Sequence, residues 1–146
     1  MALENAYRKA AAVARGDDAP DRPVLGVDTV VSLGPRNFGK AADPGQAREM
    51  LSALAGRAHL VISGICLIEG GRVRTAAART VVEFRALDAA AIDAYVATGE
   101  WRHRAGAYAI QGRGAVLVER IEGDYLNVVG LPVAALIDLV PGLITG

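Results

Sequence analysis

His59-Leu60-Val61-Ile62-Ser63-Gly64-Ile65-Cys66-Leu67-Ile68 is a mostly apolar run that reads as a strand, and Arg72 to Arg85 reads as a second. Glu69-Gly70-Gly71 stands between them. Glycine readily takes the positive φ that tight hairpin turns need, so the two strands are expected to pair antiparallel. Working outward, Val24 to Leu33 is apolar and β-branched and reads as a buried strand. Gly34 to Asp43 is a polar loop, and Pro44 opens a helix behind an Asp43 N-cap. That helix runs to about Leu54, with Ala47, Met50, Leu51 and Leu54 on one face and Gly56 past its end.

Leu3 to Ala14 is an Ala-rich helix, followed by the turn-rich Gly16-Asp17-Asp18-Ala19-Pro20-Asp21. Beyond the hairpin, Ala89 to Val96 is a helix capped by Asp88, and Thr98 to Gly114 is irregular. Ala115 to Ile121 reads as a strand and Pro132 to Val140 as a short apolar helix. Alternating helices and strands with one clear antiparallel hairpin predict an α/β fold, with a mixed twisted sheet flanked by helices.

The 146 residues fit a single domain, and at this length roughly 70% of the unfolded surface is buried on folding. Lys+Arg and Asp+Glu are both 16, so the formal charge is zero. Affinity for a nucleic-acid polymer needs surplus positive charge and is not expected, whereas a local site for one small phosphate compound is compatible with this balance. Cys66 is the single cysteine, so no disulfide can form within the chain, and a reducing cytoplasm is the expected compartment. The first residues lack a basic stretch followed by an apolar one, so no signal peptide is read there. No apolar run reaches the ~18 residues a membrane span needs; Val129 to Ile144 is interrupted by Gly130, Pro132, Asp138, Pro141 and Gly142.

Three stretches carry possible chemistry. Gly34-Pro35-Arg36-Asn37-Phe38-Gly39-Lys40 fits the spacing of a phosphate-binding loop after a strand. Ala41 lacks the hydroxyl that would hold magnesium, however, and Pro44 restarts the structure, so a surface hairpin with a solvated Lys40 is the competing reading. Asp28 interrupts an apolar strand, where a carboxylate is costly unless paired, metal-bound or at an open end. It is either a general base or metal ligand, or a polar residue facing solvent. Residues 99–112 gather Trp101, Arg102, His103, Arg104, Tyr108 and Gln111 between glycines. Guanidinium forks suit phosphate oxygens and an amide suits the edge of a base, while Trp101 and Tyr108 equally suit an ordered connection. His59 and His103 have no ligand partner at metal-site spacing, and Cys66 among Ile65, Leu67 and Ile68 reads as a core thiol.

Taken in order, these segments resemble the Maf family of nucleoside triphosphate pyrophosphatases. The carriers are Leu25-Gly26-Val27-Asp28-Thr29-Val30-Val31 with Gly39-Lys40 and Asp43, then Gly56-Arg57 and His59, then Thr80 to Arg85. Ala105-Gly106-Ala107-Tyr108, Ile110-Gln111-Gly112 and Asn127-Val128-Val129-Gly130-Leu131-Pro132 complete the series. The resemblance implies hydrolysis of the α–β phosphate bond of a nucleoside triphosphate with a divalent metal, usually Mg2+, with Mn2+ as the alternative. It implies that Asp28 is the proton acceptor or a metal ligand, that Lys40 contacts phosphate, and that Thr29 and Gln111 take part in substrate choice. Asp28-Thr29 and Ile110-Gln111-Gly112 resemble the dTTP/UTP branch. A homodimer, with no membrane association, is implied as well.

The start departs from the family pattern. Ala6-Tyr7-Arg8-Lys9-Ala10 resembles a Leu-Ala-x-x-Lys-Ala stretch, while the family's opening strand ending in a Ser-x-Ser-Pro-Arg-Arg-like loop, the helix after it and a later Asp-Glu pair are absent. The expectation is an N-terminally shortened Maf-like domain over residues 1–146 with an unpaired sheet edge. Two outcomes follow: a working pyrimidine nucleotide pyrophosphatase, or a catalytically impaired nucleotide-binding homologue with a regulatory role in cell division.

Overall fold

The computed structural model describes residues 1–16 and 22–146, and most of the turn-rich loop after the first helix lies outside them. The elements are α1 (Ala2–Ala14), β1 (Val24–Leu33), β2 (Arg36–Phe38), α2 (Pro44–Leu54), β3 (Ala58–Glu69), β4 (Arg72–Phe84), α3 (Ala89–Ala97), β5 (Val118–Glu122), α4 (Tyr125–Val129) and α5 (Val133–Leu139). The strands form one sheet in the order β2-β1-β3-β4-β5. The hairpin around Gly70-Gly71 is as the sequence predicts, pairing Glu69 with Arg72 and continuing to Ala58 with Glu83.

The α/β class stands, but the expected mixed sheet is antiparallel at every pairing among the described residues. Strands β2 and β3 are joined through α2 and run the same way, yet β1 lies between them, so no parallel pair forms. The expected polar loop after β1 contains β2, a short hairpin partner turning at Gly34 with φ 56°. No helix follows Lys40; α2 starts only at Pro44, capped by Asp43 Oδ1 accepting from the Gln46 amide at 2.8 Å. A phosphate-binding loop needs helix N-terminal amides at that lysine, so that reading fails. The expected strand from Ala115 begins only at Val118, because Arg113–Leu117 winds into a 3-10 turn. Helix α4 lies where the sequence carries no assigned element; Asp124 caps it, accepting from the Leu126 amide at 2.9 Å, and Asn127 anchors it in the interior.

Strand alternation divides the interior into two layers. Val61, Val82 and Phe84 point to the face that packs Phe38, Leu51, Leu54, Ile92, Tyr95, Trp101 and Tyr108. The opposite face carries Cys66 against Ala6 and Ala10 of α1. This close approach depends on two glycines. A Cβ on Gly26 would stand 2.1 Å from the Ala6 carbonyl oxygen, and one on Gly64 2.6 Å from the Ala2 carbonyl carbon. The Ala2, Ala6 and Ala10 stripe therefore lies on bare backbone, and the next stripe on the helix, Asn5 and Lys9, is carried to the level of Asp28.

Candidate active site

Strand β2 pairs with β1 only between Val31 and Leu33. Among the described residues no strand covers the outer edge of β1 from Val24 to Val30. A cleft opens there, with Asp28 and Thr29 on its floor and Lys9, Lys40, Arg104 and Gln111 among its walls. The structure thus brings together Asp28, Thr29, Lys40 and Gln111, the four positions singled out in the sequence.

Neighbouring residues on a strand point to opposite faces, so Asp28 and Thr29 belong to different layers. Asp28 faces α1. Its Oδ1 accepts from Lys9 Nζ at 2.7 Å and its Oδ2 from Asn5 Nδ2 at 3.0 Å. The same ammonium donates to the Val27 carbonyl at 3.0 Å. This pairing is how a strand carries a carboxylate among apolar neighbours. On the other face, Thr29 Oγ1 lies 2.8 Å from Ser63 Oγ, and Ser63 reaches the Asn127 carbonyl. Asn127 Nδ2 in turn donates to the Val61 carbonyl and to Thr80 Oγ1. A buried polar chain therefore ties the floor to α4, whose end contributes Val128 and Val129 to the cleft.

Lys40 is set by a single antiparallel bridge to Ala105, with the Gly106 amide donating to the Gly39 carbonyl at 3.1 Å. The wall segment next to it carries strain: His103 and Ala107 have φ of 62° and 66°. Non-glycine residues in that region are uncommon and cluster at functional sites. Residues 99–112 divide between the interior and the cleft. Trp101 and Tyr108 pack inside, with Trp101 Nε1 donating to the Val96 carbonyl, while His103, Arg104 and Gln111 face the cleft.

Among the described residues, three cationic side chains, Lys9, Lys40 and Arg104, line the cleft beside one carboxylate, Asp28. The wall suits a polyanion. Among the described residues no cluster of three or more His, Cys, Asp or Glu side chains is placed to hold a metal ion. Asp28 alone fits a hard cation such as magnesium, which keeps several waters and shares substrate phosphates, and does not fit an all-protein cage.

Beneath Tyr108 lies His59, 2% exposed, its Nε2 2.7 Å from the tyrosine hydroxyl. Burial lowers the imidazole pKa from 6.5 to about 4, so the ring is neutral at pH 7. Burial likewise pushes the Tyr108 hydroxyl well above its ordinary range and the Cys66 thiol up. Sequence reasoning missed the partnership of Asn5 and Lys9 with Asp28. The signal was there as two polar residues four apart on an Ala-rich helix, but the strand they face cannot be read from that helix.

The family described as Maf-like protein matches residues 1–143. A protein of Pyrococcus furiosus named dTTP/UTP pyrophosphatase is 46% identical over 121 residues, covering 83% of this chain and 64% of that protein. One of Sphingopyxis alaskensis with the same name is 52% identical over 125 residues, covering 85% and 64%. A third, of Gloeobacter violaceus, is 48% identical over 139 residues, covering 95% and 72%. The chain thus spans a little under two thirds of the first two relatives. With the family matched from the first residue almost to the last, this chain belongs to the Maf family.

Proposed function

We propose that this protein hydrolyses a pyrimidine nucleoside triphosphate, dTTP, UTP or a modified relative, to the monophosphate and pyrophosphate. The observation that carries the reading is the convergence of Asp28, Lys9, Lys40, Arg104 and Gln111 on one cleft. The Maf relatives named dTTP/UTP pyrophosphatase support this substrate class. The cleft holds about 200 Å3, less than the roughly 300–1,000 Å3 that encloses a drug-sized ligand, so a nucleotide extends beyond it.

Lys40 offsets charge already present on the phosphates, and Arg104 stabilises the charge that develops as the α–β anhydride breaks. Asp28 orients a water and takes its proton; Lys9 and Asn5 hold the carboxylate in place for that task. A divalent cation at Asp28, Mg2+ with Mn2+ as the alternative, would supply Lewis-acid neutralisation of the phosphates. The Gln111 amide offers a donor and an acceptor to a pyrimidine edge, and Thr29 shapes the floor beneath it. The same reading includes a cytoplasmic homodimer acting on free nucleotides.

A second reading, a nucleotide-binding homologue with impaired turnover, rests on Asp28, the one carboxylate lining the cleft among the described residues, being already paired with Lys9. Pyrophosphate release from dTTP, UTP, CTP and 7-methyl-GTP with magnesium decides between them. Turnover of dTTP or UTP that disappears in Asp28→Asn supports the enzyme. A folded chain that binds these nucleotides without releasing pyrophosphate supports the second reading.

A further inference from the structure

Gln111 sits on a tight turn, and the peptide groups around it converge on two side chains outside the cleft lining. The Ala109 amide donates to the Tyr95 hydroxyl at 3.0 Å, and that hydroxyl donates to Glu100 Oε1 at 2.8 Å. The Gly114 amide donates to the same oxygen at 2.9 Å, and the Arg113 amide to Oε2 at 3.0 Å. Backbone on both sides of Gln111 is thus tied to one Tyr–Glu pair. The fit is tight: a Cβ on Gly112 would stand 2.4 Å from Glu100 Oε2, and one on Gly114 2.3 Å from the Ala109 carbonyl oxygen.

The pair is itself fixed. Thr98 Oγ1 donates to the Tyr95 carbonyl at 2.6 Å and accepts from the Glu100 amide at 3.1 Å. All three groups facing the Glu100 carboxylate are donors. An ionised, acceptor-only group satisfies them together, whereas an amide brings its own N–H groups against them. Burial raises the Glu100 pKa, but the Gly114 and Arg113 amides, the Tyr95 hydroxyl and the Arg104 charge outweigh that and hold it below the usual range. The influence of Arg104 ties this charge to the cleft wall as well.

We infer that Tyr95 and Glu100 are positioning residues for base recognition, holding the turn so that the Gln111 amide meets the base of the substrate. The inference rests on the reading of Gln111 as a base-contacting side chain. It places discrimination between bases, more than the rate of bond breaking, under the control of two residues that need not touch the nucleotide.

The test uses the full chain with Glu100→Gln and Tyr95→Phe, which keep side-chain volume. The first readout is 15N relaxation without nucleotide. The Gln111 backbone order parameter should fall from about 0.85, typical of rigid backbone, to about 0.6 or lower in both variants, with sheet resonances unchanged. A Gln111 that stays rigid in both overturns the proposal, whether or not the chain turns over nucleotide. The second readout is the ratio of kcat/KM for UTP over GTP, expected to fall about tenfold while kcat on UTP changes less. Equal losses on both nucleotides, leaving the ratio unchanged, mark a merely structural role and overturn it. A wild-type chain that releases no pyrophosphate from any nucleotide refutes the proposed function instead, and the relaxation readout then decides the clamp alone.

Discussion

Lys9 Nζ lies 2.7 Å from Asp28 Oδ1, joining the first helix to the first strand at the floor of the cleft. Lys9 is 55% exposed and the Asp28 side chain 16%, so solvent screens the pair and its share of stability is at most about 1 kcal/mol. Its main effect should fall on catalysis. Lys9→Ala is expected to lower kcat on UTP by about 100-fold or more, while the urea midpoint barely moves. Retention of full activity in a folded Lys9→Ala would remove this lysine from the mechanism.

The glycines under α1 make that pair possible. Gly64→Ala places a methyl group 2.6 Å from the Ala2 carbonyl carbon, which the helix backbone can relieve only by moving away. Overpacking of this kind costs about 1–3 kcal/mol. A matching fall in stability by urea denaturation is expected, together with loss of pyrophosphate release as Asn5 and Lys9 leave Asp28. An unchanged midpoint would mean that α1 does not lie on β3 as described.

His59 predicts how stability depends on pH. Its folded pKa, about 4, lies below the unfolded 6.5, so between these values the unfolded chain binds more protons and stability falls as pH falls. The loss accumulates to roughly 3 kcal/mol by pH 4. Glu100, whose pKa is also depressed, adds its own loss only below its ordinary value of 4.5. In His59→Gln, which keeps a hydrogen-bonding partner for Tyr108 and does not titrate, the slope between pH 6.5 and 4 should flatten. Urea midpoints across that range measure it, and an equally steep variant would refute the assignment.

Lys40 is expected to act on phosphate affinity. Lys40→Ala should raise KM for UTP about tenfold with a smaller effect on kcat, since the lysine offsets charge already present in the bound substrate. Steady-state kinetics with magnesium in excess check this. A KM that does not change would place Lys40 outside the phosphate path.

Much of the fold was legible because its signals are local. The hairpin at Glu69-Gly70-Gly71, the caps Asp43 and Asp88, and strand Val24–Leu33 all depend on residues within a few positions of one another. Where local preference and tertiary context disagreed, the reading went astray. Ala115 to Leu117 read as strand, but the preceding turn is fixed by Glu100 accepting the Arg113 and Gly114 amides.

The candidate site divides in the same way. Asp28 stood out in the sequence because a carboxylate in an apolar strand needs an explanation, and Lys40 and Gln111 stood out through the family pattern. The sequence by itself determined helices α1 to α3, strands β1, β3 and β4, the antiparallel hairpin and these chemical candidates, since periodicity, caps and turn residues act over short range. Only the tertiary structure decided that Lys9 and Asn5 hold Asp28, that Thr29 joins the opposite layer, and that Tyr95 and Glu100 clamp the turn of Gln111. The pairing of Lys9 with Asp28 joins residues 19 apart, and that of Thr29 with Ser63 residues 34 apart. Such contacts arise from how close two glycines let a helix approach a sheet and from which face each strand residue takes, and neither is encoded in any one segment.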